Sequence, residues 1–445
     1  MHVGLLELVL KTSQKSCPDG TRVKHLFTTM ITPSLRTDKD QQYPSLPRLL
    51  QFHYEHNPEQ PLFIYDGHSD SDDLTEIKYL EFIRASHRAS HLIRPPGSGV
   101  NRQVVAVVAL LDTLVYTAVV AGLMQAGLVP LLISPRNTSA AVVDILKKSG
   151  AHRLLGTQST LGELFQNIQA ELASYKDNGK PYELVIEEIP SLTDLFPKLG
   201  VETAKDPFKP YPYPSSSYPG PEDIAAILHS SGSTGFPKPI PLNYRFLNKS
   251  WVISHSTKRF SQYGNPLGAY IPPFHVMAFV GTFLGPIYLG YTVTVYAPVV
   301  THPRGLPTMP TPDNVLEHVR RTHCTACFSV PAMIQIWAQS PESIDVLRGL
   351  KLLVTAGGPI AQSTGDYLVS CGVPLRNIYG GTEFGACSNW SMEDDDKEDW
   401  AWHQFDPRTT KRWVPQGDGT FELQFLVCNF LNLFWYRTVW FIAPF

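Results

Sequence analysis

The chain has 445 residues, 43% hydrophobic and 17% charged, with a formal net charge of −3 and six cysteines. That balance supports a large buried core and two or three domains, or one domain with subdomains. It leaves no basic footprint for nucleic acid, and so few scattered cysteines argue against a disulfide framework. The short apolar run from Val3 to Leu10 is interrupted by Glu7 and has no basic region before it, so no signal peptide is expected. The apolar stretch from Phe421 to Phe445 is broken by Glu422, Asn429, Asn432 and Arg437, so no membrane span is expected and the chain reads as cytoplasmic.

Residues 1–42 carry little pattern and read as a weakly ordered leader. Helical spacing follows from Leu46 to His56, then a short strand, Leu62 to Tyr65, a polar turn, and a helix with Tyr79, Phe82 and Ile83 on one face. From Val104 onward strands and helices alternate. Val104 to Ala109 and Leu128 to Ile133 read as buried strands, with a helix from Thr113 to Ala126 between them. The next helix has Asn137 as its cap, Lys147 and Lys148 in its last turn and Gly150 after it, and a short strand starts at Leu154.

Residues 206–221, DPFKPYPYPSSSYPGP, form a proline-rich break that reads as an extended surface linker. The alternation resumes with strands at Ile224 to Leu228, near Ala269, and at Thr292 to Tyr296, Ala326 to Ser329, Leu352 to Thr355 and Leu375 to Tyr379. Helices are expected at Tyr244 to His255, Met277 to Tyr288, Asn314 to Arg321, Pro331 to Ala338 and Ile360 to Ser370. Such an order implies an α/β fold, a mostly parallel sheet with helices packed on its faces. Past Tyr379 the pattern turns to β: an acidic loop from Glu393 to Asp399, then strands at Trp400 to Phe405, Lys411 to Val414 and Phe421 to Val427, the last two joined by an Asp418 and Gly419 turn.

Two stretches carry chemistry. His229 to Pro239 reads HSSGSTGFPKP and sets four hydroxyls, two glycines and Lys238 just after an apolar strand. Glycines let backbone amides converge on an anion, hydroxyls donate to phosphoryl oxygens, and a lysine offsets charge. The loop is not a Walker element, because Pro239 stands where Ser or Thr must follow the lysine. The second stretch, Asn377 to Gly385, reads NIYGGTEFG and follows a strand, so it belongs at a carboxyl end of the sheet, where ligands bind in open α/β folds. There a tyrosine beside glycines can face a base, a threonine can donate to phosphate, and a glutamate can hold Mg²⁺. The pair Cys324 and Cys327 beside His323 lacks the further ligands of a zinc site and reads as two buried strand residues on opposite faces.

Together the two motifs resemble the phosphate loop and the YGxTE motif of the adenylate-forming superfamily, the AMP-binding, acyl-CoA synthetase-like enzymes. The proline after Lys238, and stretches such as DDLTEIKYLEF, VAGLMQAGLVP, SPRNTSAAVV and WVPQGDGTFELQ, are most similar to the adenylation domains of fungal adenylate-forming reductases. These are nonribosomal peptide synthetase-like enzymes related to aminoadipate reductase. The resemblance covers residues 43–427 and implies a fold of stacked, mostly parallel sheets flanked by helices, and ATP- and Mg²⁺-dependent activation of an aryl, keto or amino acid to an acyl-adenylate, with release of pyrophosphate. By that resemblance Ser231, Gly232, Ser233, Thr234, Gly235 and Lys238 would grip the β and γ phosphates. Thr382 would contact the α-phosphate, Glu383 would bind Mg²⁺, and Tyr379, beside Gly380, would stack on adenine. Gly357 and Gly358 would line adenine and the acyl group, and His275 and Val330 the acyl pocket. Relatives continue into a lid subdomain with a further lysine, then carrier and reductase domains; these are not expected here, and residues 428–445 read as an atypical apolar tail on a truncated chain. A free-standing acyl-CoA ligase and an impaired nucleotide-binding remnant are the alternatives.

Overall fold

The computed structural model describes residues 44–67, 73–177, 179–214, 218–230, 235–252, 266–299, 305–389, 398–405, 411–417 and 420–425. The expected leader, the phosphate-loop residues Ser231 to Thr234, the Asp418 and Gly419 turn and the tail lie outside these, as does most of the acidic run.

Two sheets dominate. The first has seven strands in the order Leu375–Asn377, Leu352–Thr355, Ala326–Ser329, Leu267–Ala269, Val293–Thr294, Pro61–Asp66 and Leu74–Lys78. All neighbours are parallel except the final pair. The second has six, in the order Lys238–Asn243, Ile224–Ser230, Val129–Leu132, Val104–Val108, Arg153–Gly156 and Val185–Glu188. Here only Lys238–Asn243 runs antiparallel to its neighbour.

Strand periodicity sorts side chains into three cores. Val105 and Val107 of the six-stranded sheet meet Leu352 and Val354 of the seven-stranded one in a central core shared with helices Tyr79–Ile93 and Thr113–Gln125. Their alternates face outward: Ala106 and Val108 under helices Ser139–Ser149 and Gln158–Leu172, and Leu353 with Leu375 under Pro312–Arg321, Pro331–Trp337 and Gln362–Ser370. The order of layers is therefore helix, sheet, helix, sheet, helix. It explains why Thr113–Gln125 is buried at every position from Leu114 on and lacks a polar face: both sides of this helix meet a sheet.

Most expected elements are present. Helix Leu46–His56 has the expected limits, and Gly150 closes Ser139–Ser149 in the left-handed region at φ 65°. That helix is capped by Thr138 rather than Asn137, the Thr138 hydroxyl accepting from the Ala141 N–H at 3.3 Å. The described residues of the proline-rich segment have no regular structure, but it is not simply the expected surface linker. Tyr211 is 3% exposed, its N–H donates to His87 Nδ1 at 2.9 Å, and the Arg84 guanidinium lies over the Phe208 ring at 4.8 Å. Cys324 and Cys327 are buried and free, as expected, but they share one core rather than opposite faces, because the strand starts at Ala326 and leaves Cys324 in the turn before it.

Candidate active site

Strand register brings four segments out side by side at the carboxyl edge of the seven-stranded sheet. Ala269 pairs with Phe328, Ser329 with Thr355, and Thr355 with Asn377. The chain leaving these strands thus presents His275, Val330, Gly357 with Gly358, and Tyr379 through Glu383 as neighbours along one edge. Gly357 turns in the left-handed region at φ 86°, and a Cβ on Gly358 would sit 3.7 Å from Pro331, next to Val330. Val330 is half-buried at the start of helix Pro331–Trp337. His275 is exposed and caps the short helix Val276–Ala278, its Nδ1 accepting from the Met277 N–H at 3.2 Å.

The YGGTEFG stretch is a tight hairpin. Gly380 pairs with Ala386 and Gly381 with Gly385, and the Phe384 N–H donates to the Gly381 carbonyl at 3.2 Å. Thr382 and Glu383 therefore sit at the hairpin tip, half-buried. Among the described residues their side chains make no hydrogen bond or ion pair. The base of the hairpin is fixed: the Ile378 N–H donates to Thr355 O at 2.9 Å and the Tyr379 N–H to Ser388 Oγ at 2.7 Å. Both positions of the first strand need glycine, since a Cβ on Gly380 would meet the Gly385 carbonyl oxygen at 2.6 Å and one on Gly381 the Phe384 ring at 2.6 Å. Burial pushes the Tyr379 hydroxyl above the ordinary tyrosine range, and a nearby Cys387 adds to it.

The serine-rich stretch closes differently from the strand-loop-helix its sequence suggested. Lys238 opens an antiparallel edge strand, Lys238–Asn243, and pairs with Ser230, so the loop is a hairpin connection. Pro239 and Pro241 obscure this strand in the sequence. Being two residues apart, they place their missing donors on one side, which an edge strand can leave unpaired. Gly235 adopts φ 143° with open space around it, and Lys238 is exposed and makes no ion pair among the described residues. The expected helix from Tyr244 begins as one turn, Tyr244–Phe246, and continues as a π-helical segment, Leu247–Val252. Strand Gly385–Ala386 of the YGGTEFG hairpin packs against that segment, which ties the two motifs together across the two sheets.

His229, at the end of strand Ile224–Ser230, accepts from the Ser134 N–H through Nε2 at 3.1 Å. Burial pushes it below the ordinary histidine range. A backbone hydrogen bond at Ser230 opposes that shift, and the neighbouring His275 adds to it more weakly. His275 thus bears weakly on the charge of His229, a relation that the sequence separation of these histidines conceals. Among the described residues no group of three or more His, Cys, Asp or Glu side chains could hold a metal ion. Glu383 stands alone as a carboxylate at the hairpin tip, which suits a Mg²⁺ held mainly by phosphate oxygens and water rather than by a protein cage.

Residues 50–406 match the AMP-binding enzyme family. The chain belongs to that family. Among its relatives, the adenylate-forming reductase Nps11 of Serpula lacrymans var. lacrymans (strain S7.9) is 38% identical over 384 residues, covering 85% of this chain and 34% of that protein. Nps9 of the same fungus, also an adenylate-forming reductase, is 37% identical over 383 residues, again 85% of this chain and 34% of the relative. This AMP-binding chain spans about a third of the length of either. The ATP-bound crystal structure of MatB from Rhodopseudomonas palustris matches with a TM-score of 0.62 at 16% identity, covering 85% of this chain and 70% of that one, a likeness of fold. Family and relatives together support an adenylate-forming ligase. Among the described residues no helix is long and apolar enough to cross a membrane.

Proposed function

We propose that this AMP-binding chain activates a small carboxylic acid, aryl, keto or amino, by adenylation. The acid's carboxylate oxygen forms a bond to the α-phosphorus of ATP as the bond to the bridging oxygen breaks, giving an acyl-adenylate and pyrophosphate. The observation that carries this reading is the YGGTEFG hairpin, whose tip holds Thr382 and Glu383 and whose second strand packs on the segment following Lys238. Negative charge builds on the phosphoryl oxygens in the transition state, so donors fixed beforehand lower the barrier most. In this reading Lys238, with the backbone and hydroxyls of Ser231, Gly232, Ser233, Thr234 and Gly235, holds the departing pyrophosphate. Thr382 donates to the α-phosphoryl group, and Glu383 would hold Mg²⁺, which would offset negative charge on the phosphoryl oxygens. Tyr379 and Gly380 meet the base, Gly357 and Gly358 the adenylate, and His275 and Val330 the acid. The reductase names of its relatives support a place before a carrier and a reductase domain, which would consume the activated acid.

The test is ATP–pyrophosphate exchange across a panel of carboxylic acids, starting with benzoates and 2-keto acids. Lys238→Ala and Glu383→Ala are each expected to slow exchange by ~10²- to 10³-fold. Exchange that persists in the double variant refutes these assignments. A panel with no exchange, alongside normal ATP binding, refutes acid activation by this chain.

A further inference from the structure

Tyr379 is enclosed by rings from three separate stretches of chain. Phe384 of its own hairpin lies 5.8 Å away, His403 and Phe405 of the returning segment at 5.7 and 6.1 Å, and Phe425 of the last hairpin at 5.8 Å and 27°. Phe425 is also stacked on Phe384, at 5.1 Å and 15°, and meets Phe405 at 5.9 Å. These separations lie in the range where aromatic pairs attract beyond their buried area.

The cluster is anchored from both sides. Trp400 is 2% exposed, donates through Nε1 to Asp366 Oδ1 at 2.9 Å, and lies so close over Gly365 that a Cβ there would be 1.9 Å from its ring. That contact fixes the start of the returning segment on helix Gln362–Ser370, and the pairing of Gln404–Phe405 with Ser388–Asn389 carries it to Tyr379. On the other side, Phe425 ends a strand paired with Lys411–Pro415 along its whole length. A tyrosine that follows a strand and precedes two glycines would otherwise rotate freely, and ordering it on binding would weaken affinity.

We propose that Phe425, through its contacts with Tyr379 and Phe384, is a positioning residue for the nucleotide base: it holds the Tyr379 ring in one orientation before the base arrives. This rests on the nucleotide-binding part of the proposed function and assigns the small β region a task in it. The base itself meets Tyr379, and Phe425 acts only through that ring.

Calorimetric binding of ATP and of inorganic pyrophosphate to the full chain tests it. Phe425→Ala is expected to weaken ATP on the order of tenfold and to leave pyrophosphate, which has no base, unchanged. Phe425→Tyr should restore ATP affinity, and Phe425→Ala should add nothing in a Tyr379→Ala background. Unchanged ATP affinity in Phe425→Ala overturns the proposal while leaving acid activation intact. So does tighter ATP binding, which would mean that Phe425 occupies the base's place. Equal losses for ATP and pyrophosphate overturn it too, since they mark a hairpin that merely folds the site. A wild-type chain that binds neither ligand overturns the proposal together with the reading beneath it.

Discussion

Gly380→Ala perturbs the proposed catalytic hairpin by a single methyl group. Its Cβ would lie 2.6 Å from the Gly385 carbonyl oxygen and 3.1 Å from Ala386 Cα, so the two strands must part by about 0.8 Å to reach the 3.4 Å of ordinary contact. The obstacle is backbone, and no side chain can rotate aside. Overpacking of this kind costs ~1–3 kcal/mol, which a chain of this size tolerates without unfolding. The same shift moves Thr382 and Glu383, two and three residues along. A misplacement of about 1 Å at reacting groups lowers rates by ~10²-fold. The expected result is therefore a folded protein, shown by a cooperative urea transition, whose pyrophosphate exchange falls by about two orders of magnitude. Gly150→Ala is the control: it adds a Cβ at φ 65° in open space at a helix end, so it should lose ~1 kcal/mol and keep its exchange rate. Exchange within threefold of wild type in Gly380→Ala would refute the argument that hairpin geometry sets the rate.

Three further outcomes follow from the packing and charges. Gly122→Ala should destabilise by ~1–3 kcal/mol, because its Cβ would lie 2.4 Å from Ala89 Cβ and 2.9 Å from Ser86 O. Gly162→Ala, in an open stretch of helix Gln158–Leu172, should stabilise by up to ~1 kcal/mol; urea midpoints moving in one direction would refute the contrast. Glu202→Ala should cost ~3–5 kcal/mol, since it removes the carboxylate facing Arg84, 3% exposed and paired to Glu202 at 3.1 Å, and facing Arg88, leaving both charges bonded only to neutral oxygens such as Thr203 O and Leu195 O; a loss below ~1 kcal/mol would refute it. For pH, burial lowers His53 and His87 to about 4 and raises Glu81 to about 7. The histidines contribute stability above about 6.5 that is lost as pH falls toward about 4, whereas Glu81 contributes stability below about 4.5 that is lost as pH rises through about 7. Glu81→Gln should therefore steepen the acid-side loss between pH 4.5 and 6.5 by ~1.4 kcal/mol per unit, and parallel stability–pH curves would refute that assignment.

The fold was legible wherever burial imposes a single period. Strands such as Leu352–Thr355 and Val104–Val108 are apolar on both faces because each face meets a helix layer, and that double burial appears in the sequence as an unbroken apolar run. Edge strands carry no such mark. Val185–Glu188 is exposed or half-buried throughout, Leu74–Lys78 buries only Ile77, and Lys238–Asn243 contains two prolines, so none of the three stands out from loop sequence. Thr138 displaced Asn137 as a cap for a similar reason. Both residue types satisfy the first turn, and only the backbone decides which of them reaches Ala141.

The candidate site divides along the same line. Motif residues close to one another in sequence, such as Gly380 to Glu383, fall together in one hairpin, with glycines where the strands touch and a threonine and a carboxylate at the tip proposed to meet the ligand. Contacts between distant segments were not legible in the sequence. Nothing in the spacing of Ser134 and His229 announces that the Ser134 N–H will meet the His229 ring. Nothing in Phe425 distinguishes it from other strand phenylalanines until its ring is found against Tyr379. The division has a consequence for how such a site can vary. A motif fixes which groups meet the phosphates, while the segments packed behind it fix how rigidly those groups are held. Substitutions behind the motif should therefore alter affinity for the base and the acid first, and the chemistry on phosphorus last.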